Sequence, residues 1–114
     1  MIAHRIIPKR RAKYRNVPTV VDGIRFASKK EADRYCELKW LELGHKIGGL
    51  QLQPRFPLVV LGKKTGTYVA DFLYAENGEW IVEDVKGFQT ADFKLKWKLA
   101  QVIYADRAYT WRLS

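Results

Sequence analysis

Asp71, Asp84 and Lys86 are the residues whose types and spacing suit hydrolytic chemistry. Side chains alternate along a strand, so in the run "VEDVK" Asp84 and Lys86 share one face while Glu83 and Val85 share the other. Asp71 stands in an otherwise uncharged apolar run, Val69 to Leu73. One reading makes it a strand-end residue in contact with water; the other has Asp71 and Asp84 converge from neighbouring strands. Two converging carboxylates raise each other's pKa unless a cation neutralises them, so convergence implies a metal, a shared proton or a nearby lysine. With no second cysteine and no clustered histidine, carboxylate oxygens suit a hard ion, Mg²⁺ or Mn²⁺. Lys86 would place a point charge beside an anionic group at that ion, the arrangement that phosphodiester hydrolysis requires.

A third carboxylate comes from a predicted helix. In "SKKE", Ser28 is positioned to cap and Glu31, three residues on, to complete a capping box. Glu31 also falls at the margin of the helix's buried stripe, so capping and metal ligation compete for it. This helix is expected to run to about Leu43 and stop at Gly44. Cys36 falls on its apolar side and reads as a small buried hydrophobe.

The elements that must position these groups follow from turn and periodicity signals. Asp22-Gly23 and Asn77-Gly78 are two-residue hairpin signals between β-prone runs. A hairpin is expected at 18–27, and a three-stranded antiparallel meander from "QPRFPLVVL", "TYVADFLY" and "WIVEDVK", with "GKKTG" as the first turn. A second helix over about 91–104 and a final strand "AYTWRL" complete an α+β or α/β domain with helices on a mixed sheet. In the second helix Phe93, Trp97, Ala100 and Tyr104 form one apolar stripe and Leu95, Leu99 and Val102 another. Lys94, Lys98 and Gln101 form a polar strip between them, either a solvated face or a nucleic-acid contact. The wide apolar perimeter hints at cover on two sides, by the sheet and by a partner subunit.

At 114 residues the chain suits one domain, with 1–16 as a basic arm and 17–114 as the globular part. Net charge is +9, from 21 Lys and Arg against 12 Asp and Glu, and six basic residues precede the first acid, Asp22. That balance points to a polyanion, foremost nucleic acid, with a solubilising surface or an acidic membrane as alternatives. Arg5, Lys9, Arg10, Arg11, Lys13 and Arg15 would track phosphates. The N-terminus lacks a secretory apolar region and no stretch approaches the ~18 apolar residues of a span, so a soluble, cytoplasmic protein is expected. His4 and His45 have no spaced partner and receive no role.

Asp71, then Asp84-Val85-Lys86 across a short hairpin, preceded by the helical Glu31, resembles the PD-(D/E)XK nuclease superfamily. More closely, "KYRNVPTVVDGIRFASKKEADRYCEL", "QPRF", "YVADF" and "VEDVKG" resemble a family of short phage-encoded proteins of unknown function, themselves similar to phage Holliday-junction resolvases and TnsA-like transposon endonucleases. The resemblance implies a restriction-endonuclease-like core, with Glu31, Asp71 and Asp84 holding one or two Mg²⁺ (or Mn²⁺) and Lys86 as catalytic lysine. It adds the Val85 carbonyl as a metal ligand, and Gln89 or the Lys94, Lys98, Gln101 strip as a supplementary polar position. Ala70 stands where the name-giving proline would be. A metal-dependent endonuclease acting on branched DNA, as a two-fold dimer if it resolves junctions, is the function so implied. In a phage-encoded chain the host cytoplasm would be its place. A non-catalytic DNA-binding or assembly module with the same fold, and an RNA-directed nuclease, are the rivals.

Overall fold

The structure, a computed structural model, describes residues 17–114. The basic residues of the arm, among them Arg10, Arg11, Lys13 and Arg15, lie outside the described residues. The chain divides into two compact units, the first ending at Glu37 and the second spanning Leu38–Ser114. Helix α1, Lys29–Leu43, runs through the boundary.

In the first unit, β1 (Thr19–Val21) and β2 (Ile24–Phe26) pair antiparallel around Asp22-Gly23. Both turn residues have positive φ, 53° and 75°, as a two-residue hairpin turn demands. Asp22 then accepts a hydrogen bond from the Tyr35 hydroxyl at 2.9 Å, and the Phe26 and Tyr35 rings lie 5.0 Å apart. The turn residue therefore also fixes the helix that follows it.

The second unit holds β3 (Gly48–Leu52), β4 (Arg55–Val60), β5 (Lys63–Val69), β6 (Phe72–Glu76), β7 (Glu79–Asp84), α2 (Ala91–Ile103), a 3₁₀ turn and β8 (Tyr109–Leu113). A four-stranded mixed sheet has the order β3-β6-β7-β8, with only the β7–β8 pair parallel, and β4–β5 form a separate antiparallel ribbon. Helix α2 lies in the crossover that a parallel pair requires. The fold is α+β.

Three expectations are corrected. "TYVADFLY" is not one strand: it breaks at Ala70-Asp71, where the backbone changes partners. Ala70 N–H donates to Pro54 O at 3.1 Å, whereas Asp71 N–H donates to Glu83 O at 3.1 Å, so the chain steps there from the ribbon to the sheet. The meander is therefore two hairpins. Their first turn is Leu61-Gly62, both at positive φ, and Lys63 to Gly66 of "GKKTG" belong to β5. Strand β3 was not expected, because Gly48 and Gly49 weaken a strand signal. Gly49 is needed there: a Cβ would come within 3.1 Å of the Trp80 ring.

Register places Leu73, Trp80, Val82, Asp84, Tyr109 and Trp111 on one face of the sheet. Beneath α2 and the ribbon this face packs Phe56, Leu58, Tyr68, Ala70, Leu73, Val82 and Ala100 into the core. Phe56 is its hub, with the rings of Tyr68, Tyr104, Tyr109 and Trp111 at 5.3–6.1 Å. The two stripes of α2 are covered unequally: Ala100 is buried and Leu99 partly buried against the core, while Leu95 and Val102 are 64% and 71% exposed.

Replacing Phe56 by Ala removes one ring from four aromatic contacts and should cost about 3–5 kcal/mol by urea denaturation. Leu61→Ser, at a fully exposed turn, should stay within about 0.5 kcal/mol.

Candidate active site

The break at Ala70-Asp71 sets Asp71 beside the end of β7. Its backbone N–H is bound to Glu83 O, and its Oδ2 accepts the Val85 N–H at 2.7 Å. Asp71 thus spans the last residues of β7, with Asp84 between its two partners. Convergence, rather than a strand end facing water alone, describes it.

Asp84, the last residue of β7, is 1% exposed. Its Oδ2 accepts a short hydrogen bond from the Tyr68 hydroxyl on β5. Among the described residues its Oδ1 is buried without a hydrogen-bond partner. Lys86 Nζ lies 3.3 Å from that oxygen, an ion-pair distance without the alignment of a hydrogen bond. Asp84 and Lys86 therefore do share a face. The Lys86 side chain is 33% exposed, and its ammonium sits 4.9 Å over the Phe93 ring at the start of α2.

Backbone bonds carry β8 past the end of β7: Ser114 N–H donates to Asp84 O at 3.0 Å and Lys86 N–H to Ser114 O at 3.2 Å. Glu83 points to the opposite face and is fully buried, not solvated. It accepts from the Tyr74 hydroxyl and, at 2.6 Å, from Ser114 Oγ. Arg112 Nη1 donates to Tyr74 Oη at 2.9 Å and pairs with Glu76 at 3.2 Å. Of the two adjacent acids, Glu83 is committed to this network and Asp84 to the site.

Burial, and next the charge of Asp71, push the Asp84 carboxyl up to about 7; the Tyr68 hydrogen bond and the Lys86 charge oppose the rise. Asp71 is close enough to share a proton with it. Tyr68 is itself held protonated, by burial and then by Asp84, so it acts as a donor. Near neutrality the carboxylate pair resolves its repulsion by holding a proton or a cation.

The donor set fits a hard divalent cation in part. Asp71 and Asp84 offer carboxylate oxygens, one of them an orphaned buried atom. No group of three His, Cys, Asp or Glu side chains gathers among the described residues. Glu31 is engaged in its own unit: its N–H donates to Ser28 Oγ at 3.2 Å, and Ser28 Oγ donates to Glu31 Oε1 at 3.4 Å. The capping reading of Glu31 is thus realised. Val85 enters the site through its backbone N–H.

Of the polar strip on α2, Lys94 and Lys98 are exposed, while Gln101 donates its side-chain amide to Trp97 O at 3.2 Å within the helix. Gln89 is exposed in the loop before α2. Sequence reasoning missed Tyr68. Its signal was a tyrosine in an apolar strand, whose hydroxyl needs a buried partner.

The sequence model of a family described as "Protein of unknown function (DUF1064)" matches residues 11–114. No curated protein and no solved structure matches the chain.

Because folding raises the Asp84 pKa from 3.8 to about 7, the folded state binds the extra proton. Stability is therefore full below pH 4, falls as pH rises through 7, and is level above. In EDTA, Asp84→Asn should leave urea stability near unchanged at pH 4 and raise it at pH 8, by about 4 kcal/mol at most. Equal effects at both pH values would contradict the raised pKa.

Proposed function

The chain belongs to the DUF1064 family, and from the chemistry of its carboxylate pair we propose that it is a metal-dependent DNA endonuclease with a restriction-endonuclease-like core. The observation that carries this reading is the buried Asp84 Oδ1, without a hydrogen bond and ion-paired with the Lys86 ammonium at 3.3 Å, beside a second carboxylate. A sheet gains little from such a buried carboxyl, since an ion pair seldom repays the removal of its charges from water.

Asp71 and Asp84 would hold Mg²⁺ or Mn²⁺, which, when bound, lowers the pKa of water and draws charge from a phosphate oxygen. The Val85 N–H and the Tyr68 hydroxyl each hold one carboxylate oxygen, which fixes both carboxylates against rotation. Lys86, partly exposed and backed by the Phe93 ring, directs a cation at the space where a phosphodiester becomes more negative as it is attacked. Glu83 keeps β7 and β8 in register behind the site. The Val85 carbonyl is a further ligand that the nuclease resemblance implies.

The charge of +9 supports a nucleic-acid substrate. Branched DNA is the favoured form through the resemblance to phage junction resolvases, whose two cuts call for a two-fold dimer. No described helix is long and apolar enough to cross a membrane.

A synthetic four-way junction, a Y-fork and a linear duplex, incubated at low salt with Mg²⁺ or EDTA, test the reading. The unsubstituted protein should cut at least one of them only with Mg²⁺. Asp84→Ala should abolish cleavage and Lys86→Ala should slow it by about 10²-fold or more, with DNA binding largely kept. No metal-dependent cleavage on all three would leave the non-catalytic binding module standing. Metal binding must also displace the proton held by the pair, so Mn²⁺ affinity by calorimetry should rise about tenfold from pH 6 to pH 8 and level off above.

A further inference from the structure

The outward side of α2 carries an apolar patch framed by cations. Leu95 is 64% exposed between Lys94 and Lys98, and a shallow cleft of about 310 Å³ is lined by these three residues and Trp97. Lys96 is drawn to Asp92 at 3.6 Å. Lys94 and Lys98 carry no ion pair among the described residues, and one helical turn sets them ~6 Å apart along the axis.

This cleft adjoins the candidate active site through aromatic rings. Lys86 lies over Phe93, and Phe93 stacks on Trp97 at 5.8 Å with the planes 26° apart. Trp97 in turn lines the cleft. Lys94 and Lys98 thus stand between this aromatic stripe, which Lys86 caps, and the exposed Leu95.

A second copy of the chain is a poor occupant, since the same lysines would meet across the contact on a protein of net charge +9. A polyanion fits the charges, but the apolar surface selects among polyanions. Duplex DNA presents phosphates while its base faces are stacked inside. An unpaired strand presents phosphates to the lysines together with bases and sugars that can lie on an apolar floor, which is how proteins hold single strands. We propose that the α2 cleft binds an unpaired DNA strand leaving the active site, and that the substrate is DNA unpaired on one side of the scissile phosphate. This rests on the nuclease reading for its biological use, but not for its test.

Fluorescence anisotropy of the full chain in EDTA, with labelled oligothymidylate and a duplex of equal length, separates the two. Leu95→Ser should weaken oligothymidylate binding by about tenfold and duplex binding by less than about twofold, with the melting temperature unchanged. The double variant Lys94→Ala/Lys98→Ala should lower the slope of log affinity against log salt by about 1.4 on the single strand. Failure of the unsubstituted protein to bind oligothymidylate overturns the proposal, as does an equal loss on both DNAs or an unchanged affinity. So does a Leu95→Ser protein that only loses self-association in sedimentation. Absent cleavage would sink the nuclease reading and leave this binding result intact; absent single-strand selectivity would leave duplex cleavage possible.

Discussion

Asp84 accepts a hydrogen bond from Tyr68 while almost wholly removed from water, and Asp71 and Lys86 share its surroundings. That one buried carboxyl is where groups from three parts of the fold meet. Tyr68 belongs to the β4–β5 ribbon, Asp71 to the step between ribbon and sheet, and Lys86 to the loop leading to α2. The core beneath them, centred on Phe56, is ordinary in chemistry; it is the frame that lets a costly charge be kept in place. Natural proteins accept such costs where a group must be ready for a ligand.

Adjacent acids with opposite fates show how strongly the sheet sorts chemistry. Glu83 and Asp84 are both inaccessible. Glu83 has a hydroxyl on each oxygen, from Tyr74 and Ser114. Asp84 has one oxygen hydrogen-bonded and the other without a hydrogen bond, beside the Lys86 ammonium. The difference lies in the two faces of a single strand, one closed by a complete polar network and the other left open to a cation.

Much of this was legible in the residues because it is local. Asp22-Gly23 and Asn77-Gly78 declare their turns through positive φ, Ser28 and Glu31 declare a helix start, and strand alternation alone set Asp84 and Lys86 together against Glu83. What stayed hidden depends on distant partners. The apolar run through Ala70 and Asp71 keeps its pattern across the break, and only the identity of the backbone partners, Pro54 and Glu83, reveals the step. Two glycines masked β3. Two apolar stripes on α2 look alike in sequence, yet of the second the core takes only Leu99 and leaves Leu95 and Val102 outside. Glu83's partners stayed hidden because Tyr74 and Ser114 are distant in the chain.

The parallel pairing of β7 with β8 carries a consequence for the order of folding. The β6–β7 hairpin closes through a two-residue turn, but Trp80 meets Tyr109 only after the whole of α2 has been traversed. A chain in which the hairpin has formed and β8 has not docked leaves one edge of β7 open to water. Asp84 would then lose part of the burial that raises its pKa. The site's unusual electrostatics therefore arise late, with the last long-range contact, and a partly folded chain would have carboxylates but no poised pair.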